Sequence, residues 1–248
     1  MGRILCVANQ KGGVGKTTTA VNLAAGLARG GASTLLIDLD PQCNATTGLG
    51  AEPSGGHPLV SQQPLSTSLC AGPHEHLTLL PGSRRFHDVE LLAAGDASHA
   101  ATLREHLAAG LTSYDAVVID CPPSLGPLTR TALVSSTEVL MPIQCEYFAM
   151  EGLTQMIEVV REAMDDAARR LEFAGILLTM YDHQLELAAE VEQDVREFFG
   201  EIVFDTVIPR DVAVSEAPSH GQAVIDYAPR APGARAYVEL CMEVLDRE

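Results

Sequence analysis

Short apolar runs punctuate the chain at Ile4–Ala8, Ser33–Ile37, Leu77–Leu80, Ala116–Ile119, Glu138–Ile143, Ala174–Thr179 and Val203–Ile208. Some, such as Leu35-Leu36-Ile37 and Val117-Val118-Ile119, are continuously apolar, as strands buried on both faces require. Helical stretches separate them, including Lys16–Arg29, Ala100–Ala109, Met150–Arg170 and Leu187–Phe199. This alternation predicts an α/β fold: a mostly parallel, twisted sheet with helices on both faces. Residues Ala51–Pro73 break the rhythm. They are rich in Pro, Gly, Ser and Gln without a clear period, and predict a surface excursion with a short helix. No linker divides the chain, so residues 1–248 are expected to form a single domain.

The last predicted helix, about Ala234–Leu245, gathers Tyr237, Leu240, Cys241, Val244 and Leu245 on one face. A membrane-binding helix wants basic flanks beside such a face. Here Glu239, Glu243, Asp246 and Glu248 outnumber Arg235 and Arg247, so packing on the core is expected, with no membrane partner.

Composition sharpens this picture in a few places. The chain is 46% hydrophobic but only 4% aromatic, and lacks Trp, so aliphatic side chains must build the core. Its six cysteines form no C-x-x-C pair, which disfavours zinc and favours buried thiols in a reducing, cytoplasmic setting. The opening Met1–Cys6 leads straight into a glycine-rich loop and reads as a strand, not a leader. Net charge is −17, a field that opposes nucleic acid and anionic lipid at long range.

Against that acidity, lysine occurs only at Lys11 and Lys16, both inside the run Lys11-Gly12-Gly13-Val14-Gly15-Lys16-Thr17-Thr18. A strand, a glycine-rich loop and a helix N-terminus in succession turn backbone N–H groups and a helix dipole toward phosphate. Lys16 suits the β/γ-phosphates of ATP, and the Thr17 hydroxyl suits Mg2+. The usual phosphate-loop pattern has Gly where this chain has Gln10. Lys11 is a second cation in the loop. It is either a solvated lysine or a cation meant for phosphate, such as one bound by a facing subunit.

Two strands end in aspartate, in Asp38-Leu39-Asp40-Pro41-Gln42 and Asp120-Cys121-Pro122-Pro123. Ligands of open α/β sheets bind beyond the carboxyl ends of strands, within reach of both. One carboxylate is expected to support magnesium, directly or through water, and the other to orient an attacking water. Asp38 reads best as a turn or cap residue.

Together with Asp120–Gly126 and Ser215-Glu216-Ala217-Pro218-Ser219-His220-Gly221, these motifs resemble the ParA/Soj partition ATPases of the deviant Walker A group, which includes MinD. Gln144-Cys145-Glu146-Tyr147 and Thr179-Met180-Tyr181-Asp182 extend the resemblance over nearly the whole chain. It implies a P-loop NTPase that forms an ATP-dependent sandwich homodimer. Lys11 would reach the phosphates bound by the other subunit, Asp40 would position or activate water, and Asp120 would stand near magnesium. Pro209 and Asp211 match a segment lining the adenine pocket, with Asp where the family usually has Asn. The resemblance further implies slow ATP hydrolysis stimulated by a ParB/Spo0J-like partner, nonspecific DNA binding, and a cytoplasmic, nucleoid-associated setting. A related switch positioning non-DNA cargo, a MinD-like oscillator and a cluster-loading ATPase share the superfold. Gln184, Ala213 and Gln222 stand where the family tends to be basic, which predicts weak DNA binding.

Overall fold

The computed structural model describes residues 2–58, 64–86, 105, 113–146, 153, 156–162 and 171–247. Most of the helices expected over Ala100–Ala109 and Met150–Arg170 lie outside the described residues, although 105, 153 and 156–162 are helical.

The predicted strands all form. They are β1 (Arg3–Val7), β2 (Thr34–Asp38), β4 (Leu77–Leu80), β5 (Ala116–Asp120), β6 (Glu138–Gln144), β7 (Glu172–Tyr181) and β8 (Val203–Pro209). An additional strand, β3 (Cys70–Ala71), lies in the stretch expected to be an irregular excursion. It is two residues long and pairs antiparallel with β4, too short to leave a periodic signature. Sheet order is β3-β4-β2-β5-β1-β6-β7-β8, and every pairing but β3–β4 is parallel.

Alternation along β1 sends Ile4, Cys6 and Ala8 into one core and Leu5 and Val7 into the other. The Leu5 side is covered by α1 (Lys16–Arg29) and the C-terminal helix α7 (Pro232–Asp246). The Ile4 side is covered by α3 (Pro127–Ser135), α4 (Glu186–Phe199) and the turns at 156–162. Short helices α2 (Asn44–Gly48), α5 (Val212–Glu216) and α6 (Val224–Tyr227) sit in the loops.

On α7, Tyr237, Leu240, Cys241 and Val244 are buried as expected, but Leu245 is half exposed, with Val238 and Met242. The buried set follows i, i+3, i+4, i+7; Leu245 falls on the flank of that stripe. The end of α7 also covers the outer edge of β8. Glu243 accepts from the backbone N–H groups of Asp205 (2.8 Å) and Thr206 (2.9 Å). Arg247 donates to the carbonyl of Val203 (2.8 Å) and lies 4.2 Å over the Phe204 ring.

Candidate functional site: a phosphate loop over three aspartates

The site assembles at the carboxyl ends of β1, β2 and β5. In the loop after β1, Gly13 (φ 78°) and Gly15 (φ 87°) occupy the left-handed region, where a side chain would be strained. Gln10 does not, so the glycine that standard loops carry there is dispensable here. Gly12 and Gly13 are exposed, and Gly15 caps α1 without a side-chain hydrogen bond, leaving the helix N-terminus open to an anion.

Three neighbours pin the loop. The Asn9 amide donates to the Pro142 carbonyl (2.8 Å), and its oxygen accepts from Lys11 N–H (3.0 Å). The Thr179 hydroxyl lies 3.0 Å from the Val14 carbonyl and 2.9 Å from that of Ile143, so β7 braces Val14 through one hydroxyl whose single proton these two acceptors compete for. Lys16 is buried, and its ammonium donates to the Lys11 carbonyl at 2.8 Å. Burial lowers its pKa, against the pull of Asp120 and Asp40.

Asp38 and Asp120 are register partners on β2 and β5, and Val7 pairs with Asp120 on the other side. Asp38 serves the turn, as expected. It accepts from Asp40 N–H (3.1 Å), Thr46 N–H (2.9 Å) and the Thr46 hydroxyl (2.6 Å), and burial still pushes its carboxyl up to about 6. Asp40 is buried and accepts from Gln42 N–H at 2.8 Å.

Asp120 differs from both. It is fully buried, and neither carboxylate oxygen makes a hydrogen bond of full geometry, the Thr17 hydroxyl acting on it as a weak donor. Burial, then the charge of Asp38, holds it well above the usual carboxylate range; Thr17 and Lys16 pull the other way. A buried orphan carboxylate among acids is costly unless a cation offsets it. The donor set therefore fits a hard divalent ion such as magnesium beside Thr17.

Beside the loop is a cavity of about 210 Å³ that includes Gly15, Thr18, Met180, Pro209, Asp211 and Tyr237 in its lining. The structure thus brings Pro209 and Asp211 next to Thr18. Lys11, on the outer rim, is partly exposed, and among the described residues its ammonium approaches a carboxylate only at the half-exposed Glu146, 3.8 Å away. A larger groove of about 440 Å³ between α1 and α7 is apolar apart from Arg29 and lies at the far end of α1 from Lys16. Its size does not make it a site of chemistry.

The sequence assigns Asn9 and Thr179 no part in the site, and Tyr237 only a place in the core. Thr179 and Met180 stand in the run Thr179-Met180-Tyr181-Asp182, and Met180 has φ 53°, strained for a residue with a side chain.

A family model described as an AAA domain matches residues 2–173. The chain is 43% identical over 249 residues to the sporulation initiation inhibitor protein Soj of Bacillus subtilis (strain 168), covering 98% of each. It is 42% identical over 253 residues to the chromosome partitioning protein ParA of Caulobacter vibrioides, covering 99% of this chain and 95% of the relative. The chain belongs to the Soj/ParA family. The chromosome-partitioning ATPase Soj of Thermus thermophilus is 46% identical over 246 residues, covering 99% of this chain and 96% of the relative.

Among solved structures, cobyrinic acid a,c-diamide synthase from Mycobacterium smegmatis, with bound ATP analog and magnesium, superposes with TM-score 0.84. It is 32% identical, over 98% of this chain and 93% of that one. MinD of Pyrococcus horikoshii, complexed with Mg-ADP, gives 0.79 at 26% identity, over 98% and 96%. The Soj/ParA chain is thus a P-loop NTPase, in a fold of which these two solved members hold adenine nucleotide and magnesium. Among its described residues no helix is long and apolar enough to cross a membrane.

Proposed function

We propose that this protein is an ATP-dependent dimerisation switch with slow hydrolysis, acting in chromosome or plasmid partition, with residues 1–248 as one working unit. The observation that carries the switch is Lys11. It stands at the loop rim where, among the described residues, its ammonium makes only a long, solvent-exposed ion pair, while Lys16 already serves the loop from inside. A second subunit bringing its own nucleotide would give Lys11 a phosphate to bind.

Thr17 and Asp120 would hold magnesium, which when bound neutralises charge on the phosphates. Backbone N–H groups of Gly12–Thr18 cradle those phosphates, and Lys16 exchanges the Lys11 carbonyl for them. Asp40 is held by Gln42 N–H at the carboxyl end of β2, where it orients the attacking water and accepts its proton. Pro209 and Asp211 flank the base. The relatives named for chromosome partitioning support a ParB/Spo0J-like activating partner and a cytoplasmic setting on or near the nucleoid.

A second reading, positioning of non-DNA cargo by the same cycle, is favoured by one observation. Gln184 and Gln222 are exposed and uncharged on a protein of net charge −17. Light scattering of the purified protein tests the switch: a dimer with ATP and magnesium, a monomer with ADP. A mass that ignores the nucleotide would overturn it.

A further inference from the structure

Asp211 has both carboxylate oxygens occupied by backbone donors. Ala213 N–H donates to Oδ1 at 2.9 Å, capping α5. Gly233 N–H, in the first turn of α7, donates to Oδ2 at 2.9 Å. One side chain therefore ties together two helices far apart in sequence.

Both helices wall the cavity beside the phosphate loop. Val214 comes from α5 and Tyr237 from α7, and the Tyr237 hydroxyl lies 3.3 Å from Thr19 on α1. Gly233 permits the close approach. A Cβ there would fall 2.4 Å from Val214 Cγ2 and 3.2 Å from Asp211 Oδ2. An asparagine at position 211 would serve this tie poorly, because its NH2 would face one of the two N–H donors.

We propose that Asp211 is a positioning residue that clasps α5 to α7 and so sets the width of the nucleoside cavity, instead of reading the base by an amide-type contact. This rests on the reading of the loop and cavity as a nucleotide site. The phosphates sit on the loop, to which the Asp211 carboxylate makes no hydrogen bond among the described residues, and the base sits between the clasped walls. Opening the clasp must then weaken what the base contributes and leave what the phosphates contribute.

The experiment compares magnesium-ATP with magnesium-tripolyphosphate, which has the phosphate chain and no nucleoside, by calorimetric titration of the full-length protein. In Asp211→Ala, ATP affinity should fall about tenfold while tripolyphosphate affinity stays unchanged. Gly233→Ala, which pries the same helices apart from the other side, should show the same split. Asp211→Asn, keeping one acceptor, should fall between wild type and Asp211→Ala. Retained tripolyphosphate binding also shows that each variant is folded. Equal losses for both ligands in Asp211→Ala, or no loss for either, would overturn the clasp. A wild type that binds neither ligand would instead overturn the nucleotide reading beneath it.

Discussion

The ammonium of Lys16 reaches back across the phosphate loop to the carbonyl oxygen of Lys11 at 2.8 Å. Its hydrogen bond goes to a neutral acceptor, with the carboxylates of Asp120 and Asp40 acting on it only through space, and burial depresses its pKa. Phosphate is a far better partner. Lys16→Ala should therefore lose ATP binding by at least about a hundredfold, roughly the 3 kcal/mol of a hydrogen bond to a charged group. Calorimetric titration reads this directly, and an unchanged affinity would remove the phosphate loop from the assignment.

The side chains of Asp40 and Lys11 should separate cleanly. Asp40→Ala leaves the phosphate cradle intact and removes the group proposed to orient water, so the ATP-bound dimer should accumulate. Lys11→Ala should keep nucleotide binding in the monomer and lose the dimer. Size-exclusion chromatography with light scattering checks both. A Lys11→Ala protein that dimerises normally with ATP would return this residue to the status of a solvated lysine.

Asp120 sets stability against function. Its unpartnered oxygens sit among Asp38 and Asp40. Asp120→Asn removes that charge and should raise the nucleotide-free melting temperature at about pH 8, at roughly 2–4 °C per kcal/mol relieved for a chain of this size. The further stabilisation by magnesium with ATP should disappear in the same variant. Differential scanning calorimetry with and without magnesium reads both halves. A lower Tm in the nucleotide-free variant would show that the carboxylate is not a burden.

DNA binding should be weak at physiological salt. The arginines that could meet phosphate are Arg161, Arg169, Arg170, Arg196, Arg210, Arg230 and Arg235; Arg196 is taken by Glu192 (2.9 Å), and Arg169 and Arg170 lie outside the described residues. Arg161, Arg210, Arg230 and Arg235 are exposed and make no ion pair among the described residues. Two subunits contributing these alone give a slope of log affinity on log salt no steeper than about −7, at about −0.9 per phosphate contact. Gel shifts of the ATP-bound Asp40→Ala dimer between about 0.05 and 0.3 M salt measure it. Tight binding that survives the upper end would contradict the prediction.

The sheet was legible because its strands are buried on both faces, and Val117-Val118-Ile119 can be little else. The phosphate loop was legible because its chemistry is local: glycine, lysine and threonine lie within a few residues. Asp38 as a turn residue was readable for the same reason. What escaped depends on distant partners. That β3 pairs with β4 is a property of two residues and their neighbour. That Asp211 meets Gly233, or that Thr179 braces Val14, follows from topology, which no spacing in the chain records. Helix α3 was missed although Gly126-Pro127 marks its start, because its apolar residues blend with the run that follows.

The end of α7 has a consequence for life at high concentration. Glu243 takes amide protons along β8 and Arg247 takes a carbonyl, so that rim of the sheet has little left to offer a foreign strand. The opposite rim is the two-residue β3, too brief to template a long partner. The switch proposed above would bring copies together repeatedly and reversibly; closed borders guard such a cycle against irreversible aggregation and leave recognition between copies to the exposed loops.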